Sequence, residues 1–154
     1  MNVWTKRALV AGSVFFLLSM AYGKWVEMHD TRTVLVRFPD GTQVTTEVVS
    51  TPEDQVQGLS GRAGLGENEG MLFDFSSAEI REFWMKDMLF PIDIVWLDNG
   101  VIVDLDRDVP APAAGEAPAR LVPSDPVSQV LELPAGFVEA HHVVEGDVLT
   151  ISVE

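Results

Sequence analysis

The sequence of 154 residues contains no cysteine and few basic residues. The absence of cysteine excludes disulfides, thiolate metal sites and a cysteine nucleophile. Ten Lys and Arg stand against 24 Asp and Glu, which gives a net charge of −14, and no basic stripe occurs along the chain. Because nucleic-acid affinity comes mostly from Lys and Arg contacts, we expect no nucleic-acid partner. We interpret the acidity as a contribution to solubility.

Several catalytic and metal-binding patterns are also missing. No Gly-x-Ser-x-Gly elbow occurs. The glycine-rich segment 58–70 carries Glu67 and lacks the Gly-Lys-Ser/Thr ending of a phosphate-binding loop. His141 and His142 are adjacent instead of four residues apart, so their imidazoles would point about 100° apart on a helix. The sequence therefore indicates no metal site and no cofactor, and it favours a protein that is not an enzyme.

Residues 1–26 have the pattern of a signal peptide or a membrane anchor. Two basic residues precede an uncharged stretch from Ala8 to Gly23, as in a secretory signal. Trp4 and Trp25 bracket that stretch, and a helix between them would span about 33 Å, close to the ~30 Å hydrocarbon core. We favour the retained anchor. In both cases residues 27–154 are expected outside the cytoplasm, either membrane-anchored or secreted into the periplasm or beyond.

Residues 27–154 read as one domain of short strands separated by turn residues. Pro39-Asp40-Gly41 lies between two alternating segments, and Asn99-Gly100 between two apolar ones, so each predicts a β-hairpin. Thr51-Pro52 starts one short helix and "PAGFVEAHHV" suggests a second. The pattern predicts seven or eight strands, two short helices and a long Pro/Ala-rich loop at about 107–126.

The apolar stretch "EFWMKDMLFPIDIVWLD", residues 82–98, contains two charged residues, Lys86 and Asp93. If residues 88–91 form the loop of a hairpin, Lys86 lies opposite Asp93 and on the same face as Trp84. A buried charge is costly unless it is paired. The favoured interpretation is an ion pair that fixes the register of the hairpin.

The alternative interpretation of these charges is a polar site. Arg62 from the glycine-rich segment would be its third member, and the cluster could bind an anionic group or tune Lys86 for proton transfer. Trp84 and Trp96 fall on opposite faces of the predicted hairpin, so one should lie in the core and the other could line a pocket. The candidate binding residues are therefore Arg62, Trp84, Lys86 and Asp93.

Three blocks, "GLSGRAGLGENEGMLFDF", "FWMKDMLFPIDIVWLD" and "LELPAGFVEAHHVVEGDVL", resemble the family called domain of unknown function 192. The likeness runs from about Val34 to Ile151. The family usually has Gly-Leu-Met before its Arg, whereas Ser60 follows Leu59 here, and the proline-rich loop lacks the cysteines that other members carry. The resemblance implies a mainly β fold, with a compact, mostly antiparallel sheet in a half-barrel or sandwich, preceded by an N-terminal hydrophobic helix. It implies no established activity.

These features together favour a ligand- or partner-binding module of the cell envelope. The expected partners are the membrane, through the N-terminal helix, and an envelope ligand or protein. Two alternatives remain open: a purely structural domain, and a small envelope enzyme that uses the Lys/Asp/Arg cluster.

Overall fold

The computed structural model describes residues 32–153, so the predicted signal or anchor at residues 1–26 lies outside the described part. Nine strands and two short helices form this part of the chain. The strands are β1 (Thr33–Arg37), β2 (Gln43–Val49), β3 (Glu69–Glu79), β4 (Phe83–Trp84), β5 (Ile92–Asp98), β6 (Val101–Val109), β7 (Arg120–Leu121), β8 (Val127–Pro134) and β9 (Thr150–Val153); the helices are α1 (Pro52–Gln57) and α2 (Phe137–Ala140). Neither helix has the length and apolarity needed to cross a membrane.

Seven strands form one mixed sheet in the order β6-β5-β8-β3-β2-β1-β9, and β4 and β7 form a separate two-stranded sheet. All neighbours are antiparallel except β2 and β3, which run parallel. A parallel pair needs a crossover connection, which α1 and the following glycine loop (residues 58–68) provide. The predicted mainly β fold with two short helices is confirmed.

The structure has the two hairpin turns at the residues where the sequence predicted them. The β1–β2 hairpin turns at residues 39–41. The β5–β6 hairpin turns at Asn99-Gly100, with Asp98 facing Val101. Both central residues of this second turn have positive φ, as a two-residue hairpin turn requires.

Helix α1 begins as its sequence predicts. The Thr51 side chain accepts a hydrogen bond from the Asp54 N–H, and Pro52 occupies the first helical turn. This cap supplies an acceptor for one of the N–H donors that a helix start leaves unpaired. No residue of α1 is buried, so the helix lies on the surface and its side chains are available to form the wall of a groove.

Hydrogen bonds connect the start of β6 to the segment that precedes β9. The Ile102 N–H donates to the Asp147 carbonyl at 2.9 Å, and the Leu149 N–H donates to the Gly100 carbonyl at 2.8 Å. An isolated bridge joins Val101 to Val148 in the same place. The sheet therefore curves until the start of β6 meets the segment that leads into β9.

Both faces of the central strands are buried. One apolar cluster includes Val95 and Leu131 and packs against Phe137 of α2. The second cluster includes Trp96 on the opposite face and is covered by Met85 from the segment after β4. Because side chains alternate along a strand, β5 buries residues on both faces, and these are apolar except for Asp93.

The predicted hairpin between residues 84 and 95 is wrong. Strand β4 pairs with β7, where Trp84 faces Arg120, whereas β5 pairs with β6 and β8. The chain between β4 and β5 leaves one sheet and enters the other, and Met85 and Met88 are buried in the second cluster. The turn is centred near Asp87, which has φ 56°. The Pro/Ala-rich loop also contains β7 and the end of β6, so it is shorter than predicted.

Candidate functional site

Trp84 lies on the solvent-facing side of the small β4–β7 sheet and is 43% exposed. Its neighbour Phe83 points the other way and makes edge-on contacts with Phe73 and Trp96, at 4.8 and 5.4 Å between ring centroids. Alternation along the strand therefore fixes one aromatic ring in the core and presents the next to solvent. The prediction that Trp84 and Trp96 differ in this way is confirmed, since Trp96 is fully buried.

Two cations lie near the Trp84 ring. The Lys86 ammonium is 5.2 Å from the ring centroid and the Arg120 guanidinium is 5.6 Å from it. Both distances are within the range of a cation–π attraction. Arg120 also forms an ion pair with Glu82. The indole is thus presented between two positive side chains in a protein of strongly negative net charge.

Two depressions, each of about 290 Å³, adjoin Trp84. One also contacts Phe83 and Arg120, and the other Ser60 and Lys86. They share Trp84 and the α1 residue Val56, which is 73% exposed. We call the two depressions together the Trp84 groove. Its walls are α1, the glycine loop, the small sheet and residues 86–87.

Arg62, the third predicted binding residue, lies apart from this groove. Its guanidinium donates two hydrogen bonds to Glu47, at 2.7 and 2.9 Å. These bonds raise the pKa of Arg62 above its ordinary value. The proposed association of Arg62 with Lys86 and Asp93 is therefore wrong, because its ion-pair partner is Glu47.

Asp93, the fourth predicted residue, is fully buried and does not pair with Lys86. Its carboxylate accepts backbone N–H bonds from Asp108 and Val138, each at 2.8 Å, and from Gly136 at 3.3 Å. Among the described residues no cation forms an ion pair with it. The ion-pair interpretation of Lys86 and Asp93 is therefore wrong, because backbone donors satisfy the buried charge instead.

Glu132, which the sequence analysis did not single out, is a buried carboxyl in the centre of the sheet. It is 7% exposed, and its Oε2 atom has no hydrogen-bond partner within residues 32–153. Burial raises the pKa of Glu132 to about 8, while the nearby Arg62 acts in the opposite direction. The signal in the sequence was a single charged residue in an otherwise uncharged strand, "VSQVLELP".

A third polar cluster joins the β1–β2 turn to α2. His141 Nδ1 lies 2.9 Å from Asp40 Oδ2 and 3.1 Å from the Thr42 hydroxyl. Bonds from the Thr42 backbone and side chain, and from His141, lower the pKa of Asp40. Both neighbours share one ring nitrogen, whereas a catalytic triad uses both nitrogens of its histidine. Within residues 32–153, no group of three or more His, Asp or Glu is arranged to hold a metal ion.

Comparison with known proteins gives one family and two similar solved structures. The family model of domain of unknown function 192 (DUF192, described as "Uncharacterized ACR") matches residues 35–151. A protein from Sinorhizobium meliloti 1021, described as a candidate transcription regulator, is 31% identical, with a TM-score of 0.66; the match covers 79% of this chain and 93% of that protein. A protein of unknown function from Novosphingobium aromaticivorans DSM 12444 is 26% identical, with a TM-score of 0.63, over 77% of this chain and 83% of that one. No curated protein matches the sequence.

Proposed function

The chain belongs to the DUF192 family, and from that premise we propose that it is a binding module whose ligand site is the Trp84 groove. The observation that carries the proposal is the half-exposed indole held between Lys86 and Arg120 at the junction of two depressions. The proposal places the module in the cell envelope, tethered to the membrane or secreted. Its support is the basic and then apolar sequence of residues 1–26.

The exposed apolar surface of the groove favours an occupant. Trp84 and Val56 both project into solvent at the same place. Covering apolar surface releases roughly 25 cal/mol per Å², and a large aromatic ring contributes more of this area than other side chains. A ligand with a flat, weakly polar face would gain this energy by stacking on the indole.

The Lys86 ammonium favours an anionic ligand. Among the described residues Lys86 forms no ion pair, whereas Arg120 is paired with Glu82, and Asp87 also lines the groove. A ring with a carboxylate or phosphate substituent satisfies both the stacking surface and the cations. Because the chain carries a net charge of −14, long-range repulsion disfavours a long polyanion. We therefore assign the groove to a short acidic saccharide.

The alternatives have less support. The envelope enzyme required Arg62, Lys86 and Asp93 in one cluster, and these residues lie in three separate environments. The S. meliloti relative is described as a candidate transcription regulator, but binding to DNA phosphates depends on Lys and Arg, which are few in this acidic chain. A purely structural domain has no use for the exposed Trp84 and becomes one outcome of the test below.

The test is calorimetric titration of the full-length chain with short acidic saccharides and with their neutral counterparts. We expect the acidic saccharides to bind. Trp84→Ala should weaken their binding by about tenfold or more, which is about 1.4 kcal/mol. Lys86→Met should weaken their binding most at low salt.

The matched control is Arg37→Met, which removes the same charge from an exposed position on β1. It should bind like the parent chain. Equal binding by the Trp84→Ala and parent chains would remove the groove as the site. If no acidic saccharide bound at all, the structural domain would be the better description.

A further inference from the structure

Two carboxyl groups lie in one row across the large sheet. Glu47 on β2 faces Met71 on β3, Met71 faces Glu132 on β8, and Glu132 faces Ile94 on β5. Facing residues on neighbouring strands point to the same side of a sheet. Since strands are about 4.8 Å apart, the backbones of Glu47 and Glu132 are roughly 10 Å apart, with Met71 between them.

Arg62 of the glycine loop is the cation that both carboxyl groups share. It forms two hydrogen bonds with Glu47 and is the charge that acts electrostatically on Glu132. The Glu47–Arg62 pair is only partly buried, with 25% and 40% of the side chains exposed. Glu132 is nearly inaccessible, and its Oε2 has no partner in the part of the chain that the structure describes. Glu47 is thus fully bonded to Arg62. Among the described residues Glu132 has no such partner, although the same guanidinium acts on it electrostatically.

We propose that Arg62 changes its ion-pair partner with pH. While Glu132 is neutral, Arg62 bonds to Glu47 and holds the glycine loop there. When Glu132 loses its proton, the guanidinium of Arg62 moves to Glu132. An unpaired buried carboxylate is strongly unfavourable, so ionised Glu132 requires a cation. Because Arg62 bonds to Glu47 and also acts electrostatically on Glu132, its long side chain lies within range of both carboxyl groups. The transfer would pull the glycine loop across the sheet towards β8.

The surroundings of Glu132 leave Arg62 as the available cation. Its two strand neighbours, Met71 and Ile94, are apolar. The charged groups nearest in the row and around Arg62 are Glu47 on β2, Glu69 at the start of β3 and Asp106, which faces Ile94 on β6. These are acids and would oppose the ionisation. Met85 and Met88 complete the apolar cover of this face.

Burial sets the pH range of the transfer. The pKa of Glu132 is raised to about 8, so the carboxyl is neutral at pH 7 and ionised above pH 8. Below that range the loop is fastened to Glu47. Above it, Glu132 competes with Glu47 for the same guanidinium.

Movement of the glycine loop would reach the Trp84 groove. The Ser60 hydroxyl donates to the Lys86 carbonyl at 2.8 Å, and the Gly61 N–H donates to the Asp87 carbonyl at 2.9 Å. These bonds connect the loop that carries Arg62 to the segment that carries Lys86. The loop transfer itself is independent of any ligand; only its effect on ligand affinity rests on the proposed function.

The experiment is amide hydrogen exchange at Gly61 in the full-length, ligand-free chain between pH 6 and 9.5, corrected for the intrinsic pH dependence of exchange. We expect protection to fall by about tenfold or more across pH 8, because the loop opens locally. Glu132→Gln keeps the shape and cannot ionise, so its corrected protection should stay constant. Glu67→Gln removes an exposed charge from the same loop and should behave like the parent chain.

A second measurement on the parent chain avoids any folding defect in a variant. The NMR signals of the Glu132 carboxyl carbon and the Arg62 Nε–H should titrate together, with one midpoint near pH 8. Separate midpoints, an Arg62 signal that does not move, or an unchanged pH response in Glu132→Gln would overturn the proposal. Because neither readout uses a ligand, a failure here is distinct from a failure of saccharide binding.

Discussion

The carboxylate of Asp93 fixes two neighbouring segments through three backbone hydrogen bonds. One donor is Asp108, an extra residue on β6 with φ 49° opposite the single residue Asp93 on β5. The other two are Gly136 and Val138 at the start of α2. Bonds to an ionised acceptor are stronger than neutral ones, and the start of a helix favours a negative charge. Asp93 therefore stabilises both a β-bulge and the position of α2 without any cation.

We predict that Asp93 and Lys86 contribute independently to stability. Asp93→Asn should lower the free energy of unfolding by about 2–4 kcal/mol, because an amide presents N–H groups to buried N–H donors. Lys86→Met should change it by less than about 0.5 kcal/mol, because Lys86 is exposed and makes only a cation–π contact. Urea denaturation of both single variants and the double variant gives the coupling energy.

The coupling energy between these two sites should be within about 0.5 kcal/mol of zero. A coupling above about 1 kcal/mol would contradict the structure and point back to the ion pair that the sequence suggested. The control is Asp87→Asn, which removes a carboxylate beside Lys86 and leaves the three donors of Asp93 in place.

At the residue scale, the sequence predicted properties that follow from local alternation. It placed Trp84 and Trp96 in different environments, one exposed and one in the core, as the structure shows. It could not predict the partners of Lys86 and Asp93, because these depend on how residues 85–91 cross between the two sheets. That path is fixed by the burial of Met85 and Met88 in the cluster that contains Trp96. This packing is a tertiary effect, which short-range sequence patterns do not contain.

At the scale of helices and strands, features with short-range sequence signals were predicted, whereas pairing between distant segments was not. Asn99-Gly100 defined one hairpin, and Thr51-Pro52 the start of α1, because each signal acts within a few residues. The two-residue strands β4 and β7 had no such signal: their residues are 36 positions apart in the pair Trp84 and Arg120, and two residues show no periodicity. The sheet that supports the candidate site was therefore the part least visible in the sequence.

Gly100 allows us to test how much the contact between the start of β6 and the segment before β9 contributes to stability. The residue has φ 79°, and a Cβ atom there would lie 3.0 Å from the Leu149 carbonyl oxygen, which is too close. We expect Gly100→Ala to lower the free energy of unfolding by about 2–4 kcal/mol, from backbone strain and from displacement of the chain before β9. Thermal denaturation of the full-length chain measures this loss.

Gly41→Ala is the matched control for Gly100→Ala. Its φ is 91°, but a Cβ atom there would have no neighbour within 4 Å. It should therefore lose only the strain energy of about 1 kcal/mol. The difference in the loss of unfolding free energy between the two variants measures the contribution of the contact between Gly100 and the segment before β9. Equal losses would mean that the bonds between β6 and the segment before β9 contribute little to stability.

At the scale of the whole molecule, folding transfers two acids, Asp93 and Glu132, into a sheet that is covered on both faces, and of these only Asp93 has its carboxylate bonded to backbone N–H groups among the described residues. The row of Glu47, Met71 and Glu132 places Glu132 near the middle of the seven strands. Because folding raises the pKa of Glu132, the free energy of unfolding depends on the protonation of this carboxyl. The net charge of −14 adds a general repulsion, but a variant that differs only at Glu132 shares that repulsion with the parent chain.

The sign of the Glu132 effect follows from its two pKa values. In the unfolded chain the carboxyl has its ordinary pKa of 4.5, and in the folded protein burial raises the pKa to about 8. The folded state thus holds the proton more tightly than the unfolded state. Below pH 4.5 both states are protonated and the carboxyl costs no ionisation energy. As the pH rises from 4.5 to 8, only the unfolded state releases its proton, so stability falls; above pH 8 the loss is complete.

We therefore predict that the stability of the parent chain relative to Glu132→Gln falls by up to about 4 kcal/mol between pH 5 and pH 8.5. Urea denaturation of both chains across this range measures the difference, and the other carboxyl groups cancel because both chains contain them. Glu67→Gln, compared with the parent in the same way, should show no such trend. A difference between the parent and Glu132→Gln that stays constant would mean that Glu132 ionises normally in the fold. In that case Glu132 would already be ionised at neutral pH, and no proton loss near pH 8 would trigger the transfer of Arg62.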